Sequence, residues 1–318
     1  MPRTLIRYCE SGLTRWGMLD ADKIAPLPFQ AISTGDLLRE NWTELTSGKL
    51  PLASLERSAV TLLSPVTPNQ QFLCQGINYT SHVKESGIRL EDVPFNMLFT
   101  KASSSMTAAD APVERPPNVR LLDYEIELGL IVRRDIPQNT KVGQGDLHQW
   151  LAGITIVNDL SARDIQLPQG QFYKGKSYRG FGPIGPGIVL LGKSDWSRLP
   201  DLHMQLSVNG KIRQNAYCRE MIYTPDQTLS EFSALQDLHA GDVIATGTPA
   251  GCAARAPGPL TMFLLRHFFS DRKKWEMFVA KGANNPAYLQ PGDEIEASIR
   301  TDDGAIDLGV QTTRIIRA

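Results

Sequence analysis

Two glutamates, Glu125 and Glu127, stand one residue apart inside the run Asp123-Tyr124-Glu125-Ile126-Glu127-Leu128-Gly129-Leu130-Ile131-Val132. In a strand, successive side chains face opposite ways, so Glu125 and Glu127 share a face with Gly129 while Tyr124, Ile126, Leu128 and Leu130 take the other. Two adjacent anions in an apolar strand are costly unless water or a cation compensates them. A half-exposed strand with both glutamates in solvent meets that condition, and so does a bound cation. A second apolar run, Gly153-Ile154-Thr155-Ile156-Val157-Asn158-Asp159, ends on a carboxylate and offers Asp159 as a third ligand. Just beyond it, Arg163 and Gln166 are spaced to grip an anionic group beside that site, although a solvated surface has the same spacing. His82 and Glu85 lie on one face of a short predicted helix, and a carboxylate that holds an imidazole can orient a general base. A plain surface pair has that spacing too. Lys176, beside a turn-rich stretch, reads equally as a solvated lysine. The loop Thr246-Gly247-Thr248-Pro249-Ala250-Gly251 could bring backbone N–H groups and the Thr248 hydroxyl close to a ligand.

The elements that must carry these residues follow in order. Residues 1–66 form a small N-terminal module: Thr4–Tyr8 and Thr14–Leu19 flank Glu10-Ser11-Gly12 as a hairpin, a short helix opens at Thr34 or Asp36, and Leu63-Ser64-Pro65-Val66-Thr67-Pro68 closes the unit. Residues 67–318 are mainly β-like. A strand over Gln71–Gly76 leads to the helix of His82, capped by Thr80 or Ser81 and ended by Gly87. Further β-like runs cover Asn96–Lys101 and Leu202–Val208, and Asn209-Gly210 is a strong hairpin signal. Gly180-Phe181-Gly182-Pro183-Ile184-Gly185 matches G-x-G-x-x-G in letters only, because prolines break up both flanks where a dinucleotide site needs a strand and a helix. Leu229, Phe232, Leu235 and Leu238 recur at helical spacing as a core stripe. From Ala254 to Gln290, Leu260, Leu264, Leu265, Phe268, Phe269, Trp275 and Phe278 alternate with Arg266, His267, Arg272, Lys273 and Lys274. That pattern reads as an amphipathic cationic helical segment, a surface or contact helix in preference to a lid.

The 318 residues carry a net charge of −1, which gives no argument for a nucleic-acid partner. No stretch approaches the roughly 18 apolar residues of a membrane span, and the first residues lack the apolar core of a signal peptide, so a soluble cytoplasmic protein is expected. Cys9, Cys74, Cys218 and Cys252 are widely spaced and read as free thiols.

Taken together and in order, these motifs resemble the fumarylacetoacetate hydrolase family: Gly76-Ile77-Asn78-Tyr79 with His82 and Glu85, Asp123-Tyr124-Glu125-x-Glu127-Leu128, Asn158-Asp159-x-Ser161-Ala162-Arg163-Asp164-x-Gln166, Gly175-Lys176-Ser177, and Thr246-Gly247-Thr248-Pro249-x-Gly251. The resemblance implies a mixed α+β, mainly β fold of rolled mixed sheets after a small N-terminal α+β domain, assembled as a homodimer. It implies a divalent cation, commonly Mg²⁺, with Mn²⁺ or Ca²⁺ as alternatives, on Glu125, Glu127 and Asp159; three oxygen ligands without Cys or His suit such hard ions. It implies catalytic roles for His82, Glu85 and Lys176, and substrate contacts from Arg163, Gln166, Tyr79 and Thr248. The expected activity is hydrolysis of the C–C bond of an acylpyruvate or fumarylpyruvate type of 2,4-dioxo acid, in the breakdown of aromatic or related compounds. The alternatives are a decarboxylase, tautomerase or isomerase on the same site, or a non-catalytic binding protein that kept the fold. The chain departs from the family pattern at about 254–288, where many relatives run almost directly into the next Pro-Gly-Asp strand, and this insertion bears on substrate size and oligomer contacts.

Overall fold

The computed structural model describes residues 2–48, 52–87, 89–93, 95–255 and 270–318. The fold is mixed α+β and mainly β, built on two larger sheets. The larger sheet runs from the N-terminal strands through Ile188–Leu190, Leu151–Asn158, Ile126–Val132 and Val243–Ala245 to Phe72–Gly76 and Met97–Lys101. The second comprises Lys211–Tyr217, Leu202–Val208, Glu294–Thr301, Asp307–Arg317 and Val113–Arg115.

Ile126–Val132 lies in the middle of the larger sheet and is buried along its whole length. Both faces are packed: Leu128 and Leu130 belong to one hydrophobic cluster, Ile131 and Val157 to another. The strand is shorter than its apolar run, because Leu122–Asp123 pairs separately with Ser161–Ala162. The N-terminal hairpin forms as expected, and its first strand is hydrogen-bonded into the main sheet, with Arg3 opposite Leu190 and Leu5 opposite Ile188. Leu5, Trp16 and Leu37 share a core with Ile184 and Val243, so residues 1–66 are continuous with the rest in both hydrogen bonding and packing.

Asn209 and Gly210 both have positive φ, 51° and 73°, the conformation a two-residue hairpin of this twist requires. Gly182–Ile184 is a strand with no helix after it, which confirms that the glycine pattern there is not a dinucleotide turn. The stripe helix is Pro225–Leu235, opened by a capping box between Thr224 and Gln227. Leu229 and Phe232 are buried, whereas Leu235 is exposed and Leu238 lies beyond the helix. The helix carrying His82 spans Thr80–Glu85, with Tyr79 at its N-cap and no side-chain cap bond from Thr80 or Ser81. The cysteines are free. Among the described residues no helix is long and apolar enough to cross a membrane.

Candidate active site

The register of two antiparallel strands assembles the carboxylates. Ile126 pairs with Asn158, and the Asp159 N–H donates to the Glu125 carbonyl at 2.9 Å, so Glu125 and Asp159 lie opposite each other. Glu127 is two positions along on the same face. Carboxylate oxygens of Glu125, Glu127 and Asp159 lie within 4.8 Å of one another, and all three residues are buried.

Cations surround this cluster. The Lys176 ammonium donates to Glu125 Oε2 at 2.6 Å, to the Ser161 hydroxyl at 2.8 Å and to Asp159 Oδ2. Arg163 donates through Nε to Asp123 Oδ2 at 2.8 Å, through Nη2 to Glu125 Oε1, and through Nη1 to Gln166 Oε1 at 2.8 Å. Lys101, whose side chain is fully buried, reaches Asp159 Oδ1 at 2.5 Å and the Phe181 carbonyl at 2.6 Å. Asp123, Glu125, Glu127 and Asp159 thus face Lys101, Arg163 and Lys176, one negative charge in excess. Burial opposes ionisation of Glu125, but Arg163 and Lys176 outweigh it and hold that carboxyl well below the usual range. Burial likewise opposes charge on Lys176, and Asp159 and Glu125 overcome it, raising the ammonium above its ordinary value. Among the described residues, the Glu127 carboxylate accepts one hydrogen bond, from the Gly247 N–H at 2.8 Å; burial and then the charges of Asp159 and Glu125 push its pKa far up. Glu127 is where the missing positive charge is felt. A hard divalent cation on the three carboxylates fits this donor set and this deficit.

The supporting loop is held in place by residues to which spacing alone assigned no role. Asp123 accepts from the N–H groups of Ala253 at 2.7 Å and Ala254 at 3.0 Å while it orients Arg163. Gly247 has φ +87°, and a β-carbon there would sit 2.9 Å from Asn78 Cβ. Asn78 in turn donates to the Thr246 carbonyl at 2.9 Å and accepts from the Tyr223 N–H at 2.8 Å. The Thr248 hydroxyl, expected on substrate, donates to the Ile126 carbonyl at 2.9 Å and accepts from Gln214 at 2.8 Å, while its residue still lines the cavity.

A cavity of about 620 Å³ opens above the carboxylates and is also lined by His82, Arg163, Gln166 and Lys176. Tyr79 is elsewhere: it is fully buried in the core, with its hydroxyl 3.2 Å from Met204 Sδ. Glu85 is engaged by the glycine-rich loop. Its Oε2 accepts from the Gly251 N–H at 2.8 Å and its Oε1 lies 3.4 Å from Arg255 Nε, while His82 Nδ1 is enclosed without a hydrogen-bond partner among the described residues. Shared helical face brought the two side chains near one another, but the loop offered Glu85 a better donor. Burial lowers the His82 pKa, so the neutral, basic form of the imidazole is favoured. The insertion contributes a helix, Asp271–Ala283, largely exposed as expected of a surface helix, whose Lys274, Trp275 and Phe278 also line the same cavity. Leu260, Leu264, Leu265, Arg266, His267, Phe268 and Phe269 lie outside the described residues.

The fold and the carboxylate site are those of an acid-lined enzyme pocket within a rolled β-sheet, and comparison with known proteins defines the class. Residues 71–316 match the model of the fumarylacetoacetate (FAA) hydrolase C-terminal domain. The chain belongs to the fumarylacetoacetate hydrolase family. It is 33% identical over 254 residues to an uncharacterized protein of Staphylococcus saprophyticus, covering 80% of this chain and 73% of that one. The structure superposes on fumarylacetoacetate hydrolase from the psychrophile Exiguobacterium antarcticum with a TM-score of 0.74 and 30% identity, over 99% of this chain and 100% of the other. A 2-hydroxyhepta-2,4-diene-1,7-dioate isomerase from Mycobacterium marinum shares the fold at a TM-score of 0.70 and 21% identity, over 99% and 98% of the two chains. The protein is therefore an enzyme of this superfamily, with a buried acidic triad of the kind the family uses for a divalent metal.

Proposed function

We propose that the protein is a divalent-metal-dependent hydrolase that cleaves the C–C bond of acylpyruvate-type 2,4-dioxo acids. The observation that carries this reading is one cavity in which the Glu125, Glu127, Asp159 cluster meets Lys176, Arg163 and a half-buried His82 whose neutral form is favoured. A divalent cation on the three carboxylates would act as a Lewis acid toward the carboxylate and 2-oxo oxygens of such a substrate. Arg163 and Gln166 stand beside that end of the cavity to orient it, and Lys176 stabilises negative charge that develops there. His82 takes a proton from water as the water oxygen bonds to the distal carbonyl carbon. The C–C bond then breaks, its electron pair stays on the pyruvate fragment, and that fragment takes up a proton. The products are a carboxylic acid and pyruvate.

Incubation with Mg²⁺ and an acylpyruvate should release two acids, and Glu127→Gln should lower kcat/KM by about a thousandfold or more. Intact substrate with wild type, or equal rates for wild type and variant, would overturn the reading. One observation favours a second reading: with Glu85 on Gly251 and Arg255, no carboxylate among the described residues is hydrogen-bonded to His82 Nδ1 to orient it for water activation, and an isomerase or decarboxylase on the same ligands would not need one. Product mass separates these outcomes, since isomerisation leaves one molecule of unchanged mass and decarboxylation releases CO₂.

A further inference from the structure

Beside the carboxylates the cavity is lined by the aromatic side chains Phe99, Phe172, Trp275 and Phe278, with Lys274 next to Trp275 on the same helix. The Lys176 ammonium lies 5.4 Å from the centre of the Phe99 ring, and Phe99 meets Phe172 edge-on at 5.0 Å. On another wall stand Trp275 and Phe278 of the insertion helix, also edge-on, with ring centres 5.8 Å apart.

This wall is built into the fold. Along the helix, Trp275, Phe278, Val279 and Gly282 recur at helical spacing on one face. Val279 is buried in the main core, and Gly282 is packed so closely that a β-carbon there would fall 2.7 Å from Leu121 Cδ1. The chain leaving the helix is tied back by the Leu289 N–H to the Leu122 carbonyl at 2.8 Å. The helix also packs on Arg163–Gln169, the element that carries the anion-gripping side chains and the cavity residue Leu167. The same anchoring therefore fixes Trp275 and Phe278 relative to the metal-binding end. The cations against the carboxylates, Lys101, Arg163 and Lys176, all hold acidic side chains, and farther out Arg255 pairs with Glu85.

We propose that the insertion helix is a specificity element, and that Trp275 and Phe278 select substrates whose acyl end is a ring-sized apolar group while the 2-oxo acid head occupies the carboxylate end. This rests on the 2-oxo acid reading above and narrows its substrate class. Aromatic side chains bury large area and stack on a ring in offset or edge-on geometry, and an apolar pocket discriminates by roughly tenfold or more per group it can fill.

The test has two arms, both with the full chain loaded with Mg²⁺. In the first, kcat/KM is measured for benzoylpyruvate, acetylpyruvate and fumarylpyruvate. In the second, equilibrium binding is measured for phenylpyruvate and pyruvate, which cannot undergo the cleavage. The wild type should favour benzoylpyruvate over acetylpyruvate, and phenylpyruvate over pyruvate, by at least about tenfold. Trp275→Ala should cut each ratio by roughly tenfold, Phe278→Ala should act in the same direction, and Trp275→Phe should retain most of the preference. Equal use of the three acylpyruvates, preference for the acidic tail of fumarylpyruvate, or Trp275→Ala and Phe278→Ala ratios equal to wild type would overturn the proposal. Cleavage of none of the acylpyruvates together with a tail preference that Trp275→Ala erases would sink the hydrolytic reading and support the specificity element. Absence of both cleavage and tail preference would sink both.

Discussion

At the scale of single residues, the least expected feature is Lys101. It ends the strand Met97–Lys101, where a lysine ordinarily turns into water, yet its ammonium is fully buried between Asp159 and the Phe181 carbonyl. Breaking a buried ion pair leaves an uncompensated charge, which is more costly than never having placed the pair there. Lys101→Met should destabilise the metal-free protein by about 3–5 kcal/mol in denaturant unfolding. Added Mg²⁺ should restore part of that loss, because a cation on Asp159 replaces the missing charge; an unchanged midpoint would show that Lys101 is dispensable. Nothing in the sequence pointed to this role, since its partner is 58 residues away and an isolated lysine after an apolar run reads as a solvated end. Asp123 went unassigned for the same reason: its partners Arg163, Ala253 and Ala254 come from two distant segments. The Glu125 and Glu127 pair was legible because a period of two is a local property of a strand, and Asp159 because it ends the neighbouring apolar run.

At the scale of elements, the loop after Val243–Ala245 links the sheet to the site. The Thr246 N–H continues the ladder to the Leu128 carbonyl at 3.0 Å, and one residue later the Gly247 N–H turns to the Glu127 carboxylate. That turn needs φ +87° and close approach to Asn78, both of which exclude a β-carbon. Gly247→Ala should therefore cost on the order of 1–3 kcal/mol and weaken Mg²⁺ affinity, read by thermal unfolding and by metal titration. Retention of both would show that the loop can relax without disturbing Glu127. The short helix Thr80–Glu85 illustrates the limit of spacing arguments. Sharing a face says that His82 and Glu85 can meet, but not which of several donors a carboxylate will choose, and here Gly251 and Arg255 take it. The insertion helix is a similar case: an amphipathic stripe says that one face is covered, and only the fold shows that the cavity lies against it.

At the scale of the whole molecule, the mainly β content was legible because alternating strands, turn signals and the Asn209-Gly210 hairpin are written locally, and the rolled-sheet fold followed from the family resemblance, whereas the order of strands in the larger sheet depends on pairings that are remote in sequence. The pairing of Arg3–Glu10 with Ile188–Leu190 is the clearest instance. Local punctuation at Pro65 and Pro68 marks a break in the chain's rhythm, while the hydrogen bonds run straight past it. A consequence follows for any shortened form. A polypeptide beginning near residue 71, where the family match starts, would lack the strand that covers Ile188, Val189 and Leu190. It would present an apolar sheet margin with unpaired N–H and C=O groups, the kind of edge along which chains join one another. Such a fragment should run as aggregates on size exclusion where the full chain does not, and matching elution of the two would show that this edge is protected without the N-terminal strands.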